Sequence, residues 1–128
     1  MMKKALTTTL IIGGILAAGI QSSYAAPAGY GITRYETVVI IDSGAVLEYG
    51  QTEASGTDLS YVKTYTELYK GGVWQKSASS TGATYAYAEN RAINVLGGVL
   101  YEGKSVHVAY GKDGTEDRRS SYASKYAY

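Results

Sequence analysis

Leu59 to Tyr69, LSYVKTYTELY, followed by Lys70-Gly71-Gly72 and then Val73 to Ala78, VWQKSA, is the stretch that decides the fold. Leu59, Tyr61, Tyr65 and Tyr69 share one face of an extended chain; Val62, Thr64, Thr66 and Leu68 share the other. Such alternation predicts a half-buried β-strand, and a Gly-Gly pair between two such runs predicts a hairpin.

The same reading extends in both directions. Arg34 to Ile41 (RYETVVII) ends in a β-branched run, and Asp42-Ser43-Gly44 turns it into a strand from Ala45 to Tyr49. Gln51 to Asp58 is polar and reads as a loop. Beyond Ala78, Ser79 to Gly82 reads as a turn into Ala83 to Glu89 (ATYAYAE), where Tyr85 and Tyr87 share a face. Glu89 to Leu96 has some helical character, or forms a strand or a connection between sheets. Ile93 to Leu96 and Val99 to Tyr101 flank Gly97-Gly98. In Lys104 to Tyr110 the apolar Val106, Val108 and Tyr110 are expected inward, with Ser105, His107 and Ala109 outward. Lys112-Asp113-Gly114 holds the strongest hairpin signal, Asp-Gly. Arg119 to Tyr128 closes the series, with Tyr122, Tyr126 and Tyr128 in register. About seven or eight short strands with regular turns predict an all-β fold, a small antiparallel β-sandwich or barrel.

The first 25 residues have a different character. Lys3 and Lys4 precede an apolar run from Ala5 to Ile20, then a polar stretch with Ser23 and Ala25 at positions −3 and −1 of a cut before Ala26. That is the layout of a cleaved secretory signal peptide, and the apolar run is shorter than the roughly 20 residues a membrane-spanning helix needs. The expected organisation is residues 1–25 as signal peptide, 26–33 as a flexible leader and 34–128 as one β domain. The processed protein is expected to be secreted, extracellular or at the cell surface, without an integral membrane span.

Composition narrows the function. Without Lys3 and Lys4 the chain keeps 10 of its 12 basic side chains against 11 acidic ones, a net charge of −1. This is not the basic footprint of a nucleic-acid-binding protein, and no polybasic run points to anionic lipid. Cysteine is absent, which excludes disulfides, thiol catalysis and Cys-ligated zinc. The short leader and the missing disulfides suggest a bacterial exported protein. Fourteen tyrosines, one tryptophan and no phenylalanine remain as the unusual feature. Tyrosine in place of phenylalanine favours rings whose hydroxyls reach water or a partner.

Catalytic chemistry is poorly represented. His107, the only histidine, reads as an ordinary exposed strand residue with no serine-hydrolase motif beside it. Glu116-Asp117 next to Arg118-Arg119 reads as a solvated hairpin end rather than a carboxylate pair for glycoside hydrolysis. No spaced oxygen ligands form a calcium loop, and no Gly-rich loop precedes a helix to cradle phosphate. No enzyme, metal or cofactor is expected. The aromatics are the candidates for ligand binding: Trp74, Tyr85, Tyr87, Tyr122 and Tyr126. Trp74 is expected to anchor the core; its alternative is a stacking platform shared with Tyr85 and Tyr87.

Val106 to Tyr128 (VHVAYGKDGTEDRRSSYASKYAY) resembles the end of secreted bacteriocins of the lactococcin 972 type, through Ala109, Gly111, Asp113, Thr115-Glu116 and a tyrosine-bearing last strand. The resemblance implies a small cysteine-poor β-sandwich, exported by a signal peptide, that acts on bacteria at the envelope against cell-wall precursor. The chain departs from the family in lacking a Gly-Gly-Trp-like opening with histidines, and in an added segment from Ile32 to Asp58. The function expected is therefore a small secreted, non-enzymatic binding protein, antibacterial in its sharpest form. Its partner would be an envelope component, a polysaccharide or a protein. The alternative is a surface or matrix subunit that self-associates through strand edges and tyrosine ladders.

Overall fold

The computed structural model describes residues 29–128; the expected signal peptide and its cut lie outside them. Seven antiparallel strands follow one another: β1 (Gly31–Asp42), β2 (Ala45–Ser55), β3 (Leu59–Lys70), β4 (Val73–Gly82), β5 (Tyr85–Ile93), β6 (Leu100–Gly111) and β7 (Glu116–Tyr126). Sheet A has the order β1-β2-β5 and sheet B the order β4-β3-β6-β7. The two pack face to face as an all-β sandwich, and no helix is present among the described residues.

The three expected hairpins form at Asp42–Ala45, Lys70–Val73 and Tyr110–Glu116. Ser43 and Gly44 both adopt positive φ in the first, as a tight two-residue hairpin turn requires. Three boundaries differ from expectation. Gln51 to Ser55 continues β2, and Ser79 to Gly82 continues β4. β1 starts at Gly31, inside the expected leader, and Tyr30 is buried beneath it. Glu89 to Ile93 is strand, ending where Asn94 takes a positive φ.

Connections divide the sandwich into two ends. The β1–β2 and β3–β4 turns, the β5–β6 connection and Ala127 meet at one end, called lower here; Gly71 N donates to Leu100 O, Val95 N to Gly44 O and Gly98 N to Ala127 O. At the upper end the β2–β3 and β6–β7 connections meet, with Lys112 N donating to Asp58 O.

The interior is layered. An apolar cluster of Val39, Val46, Leu68, Tyr101, Ala123 and Ala127 fills the lower end. Another, of Tyr30, Ala54, Val62, Ala86 and Ala109, fills the upper end. Between them lies a hydrogen-bonded polar layer. Glu48 meets Asn90 (2.8 Å) and Thr66; Thr66 meets Ser105 (2.7 Å), and Ser105 meets Thr37 (2.7 Å). Thr37 joins Ser121 (2.5 Å), Ser121 joins His107 Nε2 (2.7 Å), and His107 Nδ1 joins Thr52 (2.7 Å). Thr52 reaches Thr64 (2.6 Å), which donates to Ala86 O. Buried polar groups are tolerated because each finds a partner.

Two glycines make room for this layer. A Cβ on Gly103 would come within 2.7 Å of Glu48 Cγ and 2.8 Å of Thr37 Cγ2, and one on Gly50 within 2.6 Å of Ser105 Oγ.

His107 thus corrects the expected facing of β6. It is fully buried, with Ser105 and Ala109, while Val106 and Tyr110 lie on the other side of the strand. The apolar-inward rule fails here because the core centre is built from hydroxyls and one imidazole. Trp74 is also corrected as a core anchor: it stands 53% exposed on β4, an outer strand of sheet B.

Candidate functional site

The outer face of sheet B gathers rings around a groove. On β3, Tyr61, Tyr65 and Tyr69 point away from the buried Val62, Thr64, Thr66 and Leu68. Register sets Val106 between Tyr65 and Ser120, and Val108 between Lys63 and Arg118. The two valines therefore form a floor along β6. One hollow of about 280 Å³ is lined by Tyr65, Glu67, Lys104, Val106, Ser120 and Tyr122, together with Ser105 and Ser121. A second, of about 180 Å³, continues along Lys63, Tyr65, Val106, Val108, Tyr110 and Arg118. Tyr65 and Val106 belong to both, so the two form one elongated depression.

Its walls are held in place. The hydroxyls of Tyr65 and Tyr69 donate to the two oxygens of Glu67, at 2.6 and 2.7 Å. These two bonds hold the Glu67 carboxyl below its ordinary range and push both phenols up. Lys104 Nζ sits 4.4 Å from the centre of the Tyr69 ring, a cation–π distance. Tyr61 stacks on Tyr110 with centroids 4.5 Å apart. On the far wall Tyr122 donates to Glu102, and partial burial followed by that carboxylate raises its phenol. Rings fixed before a ligand arrives lose little entropy on binding.

The five aromatics singled out from sequence do not form one site. Tyr122 lines the groove. Tyr126 lies on the same strand, half-exposed and close to the lower end. Trp74 faces out opposite Tyr69, at the same end of the sheet. Tyr85 and Tyr87 belong to sheet A, so a platform joining them to Trp74 is not formed. There Tyr87 packs on Tyr49 with centroids 5.0 Å apart, and Tyr85 donates to Gln51 at 2.6 Å. Burial, then the hydrogen bond to Glu89, raises the Tyr87 phenol strongly. Sequence reasoning missed Tyr65, Lys104, Val106 and Arg118 as groove residues. Tyr65 was legible from the β3 alternation, but Val106 was read as core.

The interior also contains a serine hydroxyl beside an imidazole. Ser121 Oγ lies 2.7 Å from His107 Nε2, the spacing of a nucleophile and its base. Its surroundings are different. Burial pushes the imidazole down to about 3, and the group at Nδ1 is the hydroxyl of Thr52 rather than a carboxylate. The imidazole is therefore neutral near neutral pH, held between the hydroxyls of Thr52 and Ser121. Opposite it, burial raises Glu48 to about 8 despite hydrogen bonds from Thr66 and Asn90, so its carboxyl is largely protonated at neutral pH. This layer is a clasp between the sheets.

Among the described residues no cluster of three or more His, Cys, Asp or Glu side chains is placed to hold a metal ion, and no helix is long and apolar enough to cross a membrane. No family model, curated protein or solved structure matches the chain.

Proposed function

We propose that the protein is a small exported binding protein that takes a glycan strand of the cell envelope along the outer face of sheet B, without catalysis. The resemblance of Val106–Tyr128 to lactococcin 972-type bacteriocins extends this reading to an antibacterial protein. One observation carries it: the elongated hollow floored by Val106 and Val108 is walled by pre-positioned tyrosines and edged by Lys63, Glu67, Lys104 and Arg118. Sugar rings offer apolar faces to aromatic rings and hydroxyls to charged groups, and this surface supplies both.

Self-association through strand edges is less favoured. β4 is an edge strand, yet its register shifts between Leu68 and Tyr69, and Lys76 turns to donate to Arg91 O at 2.7 Å. An irregularity and a lysine both blunt an edge against pairing. In the β-branched run of β1, Val38 and Val39 are buried, and Ile40 is exposed.

The test compares the chain from Ala26 with Tyr65→Ala and Tyr122→Ala variants in binding to isolated bacterial cell walls and in growth inhibition. Saturable binding by the parent that both variants lose while keeping a cooperative melting transition is the expected result. Absence of binding, or binding indifferent to both changes, would overturn the reading.

A further inference from the structure

The groove on sheet B is not uniform along its length. Register places its side chains in rows that cross β3, β6 and β7. Lys63, Val108 and Arg118 make the row of the upper hollow; Glu67, Lys104 and Tyr122 make that of the lower one. Tyr65 and Val106, in the row between, belong to both hollows.

The charges divide between the two. In the lower hollow the carboxylates are met within the sheet. Glu67 accepts from the hydroxyls of Tyr65 and Tyr69 and has Lys104 beside it in register, and Glu102, one row further down, accepts from Tyr122. In the upper hollow two cations face each other across the buried Val108, Lys63 from β3 and Arg118 from β7. The acid nearest them is Glu116, in the row above, whose Oε1 accepts from Arg118 Nε at 3.3 Å and Nη2 at 3.2 Å. Two cations against that one acid leave a positive charge in excess. Among the described residues the Lys63 ammonium has no hydrogen bond or ion pair, and β4 brings only Thr81 beside it. The β6–β7 turn adds Lys112 and Asp113, of opposite sign, and the Asp113 carboxylate already accepts from the amide and hydroxyl of Thr115.

We infer that the upper hollow is an anion subsite: resting on the glycan reading of the groove, it takes an oxyanion carried by the glycan, a carboxylate or a phosphate, between Lys63 and Arg118. The two residues stand two strand spacings apart, about 10 Å between Cα atoms, and both line the hollow. Long side chains at that separation close on a group of this size, and both ammonium and guanidinium make charge-assisted hydrogen bonds to it. The valine floor and the stacked Tyr61 and Tyr110 rings keep water from one side of the ion, which strengthens the pairing. Glu67 and Glu102 at the other end repel an anion, so the difference in charge sets the direction in which the glycan lies. Sequence reading gave no such subsite, since Lys63 and Arg118 belong to strands that β6 alone brings together.

The experiment measures binding of the chain from Ala26, which contains every strand of both sheets, to isolated bacterial cell walls in four states. The walls are untreated, stripped of phosphate polymers with hydrofluoric acid, amidated at their carboxyl groups, or given both treatments. The parent should bind doubly treated walls about tenfold more weakly than untreated ones, and the single treatment that causes the loss identifies phosphate or carboxylate as the anion. Lys63→Gln should bind untreated walls about tenfold more weakly than the parent and doubly treated walls equally well. Equal binding of the parent to untreated and doubly treated walls would overturn the subsite while leaving the glycan groove standing. So would a Lys63→Gln variant that matches the parent on untreated walls, or that is weakened by the same factor on both. No binding of the parent to untreated walls would overturn the groove and the subsite together. The parent's response to the treated walls decides the matter without any variant.

Discussion

On the inner side of β6 stand Tyr101, Gly103, Ser105, His107 and Ala109; on its outer side stand Glu102, Lys104, Val106, Val108 and Tyr110. The inner row is joined to sheet A by hydroxyl and imidazole contacts, while the outer row joins β3 and β7 in a groove among tyrosine rings. Strand β3 repeats the contrast, with Thr64 and Thr66 fully buried and Tyr61 and Tyr65 exposed. At the middle of the sandwich, hydroxyls that cost little to expose are inside while the Tyr61 and Tyr65 rings stay outside; Tyr30 and Tyr101 are buried nearer its ends. Two consequences follow. The centre of the core depends on complete hydrogen bonding more than on apolar area, and the rings remain available for a ligand.

The most severe way to break this contrast is His107→Leu, which keeps bulk but removes both ring nitrogens. Thr52 keeps Thr64 and Ser121 keeps Thr37, but each loses its bond to the ring, at about 0.5–1.5 kcal/mol apiece, and the core loses its ring contact with Tyr35. Chemical denaturation should show a large loss of stability. A neutral or stabilising outcome would mean that the polar layer is dispensable.

Acidity should expose the same layer. Burial keeps the Glu48 proton on the folded chain up to about pH 8, against 4.5 for an ordinary carboxyl. Its neutral form is therefore the one that folding favours, and stability falls as pH rises between those values. His107 resists protonation until about pH 3, against 6.5 ordinarily. Its contribution is present above 6.5 and is lost as pH falls towards 3. The two slopes oppose each other, giving a plateau between about pH 4.5 and 6.5, with declines of about 1.4 kcal/mol per pH unit on either flank. Melting curves across pH should show this shape, and Glu48→Gln should flatten the alkaline flank and turn the plateau into a continued rise up to about pH 6.5.

Gly103→Ala is smaller in chemistry but still internal. Its methyl would press on Glu48 and Thr37, and overpacking of this kind costs typically about 1–3 kcal/mol. The outer row should answer differently. Tyr122→Ala gives up one partly buried ring and its bond to Glu102 and should cost only about 1 kcal/mol, measured by the same denaturation, while abolishing glycan binding. A large loss of stability there would erase the distinction between the two sides.

Much of the fold was legible because turns announce themselves chemically. Asp42-Ser43-Gly44, Lys70-Gly71-Gly72 and Lys112-Asp113-Gly114 each mark a hairpin that forms. From Tyr61 to Tyr69 the alternation of β3 separated its two faces correctly, but Leu59, expected beside the tyrosines, packs inward past a register shift. What was lost came from equating polar with exposed. Gln51 to Ser55 read as a loop, yet Thr52 is fully buried against Thr64 and His107. Val106 read as core but lines the outer groove, and Val108, though buried, is covered on that same outer side, so the facing of β6 was turned around. The candidate site was legible only in part: Tyr122 was named, but alternation cannot say which sheet a strand joins, so Tyr85 and Tyr87 were grouped with Trp74 across the sandwich.

Amide chemical shifts, followed while a soluble envelope glycan is added to isotope-labelled protein, test the central claim most directly. Shifts concentrated at Lys63, Tyr65, Glu67, Lys104, Val106, Arg118 and Tyr122, with β1 and β5 unmoved, are the predicted result. A spectrum that does not change at saturating glycan, or changes confined to Tyr49, Tyr85 and Tyr87 on sheet A, would contradict it.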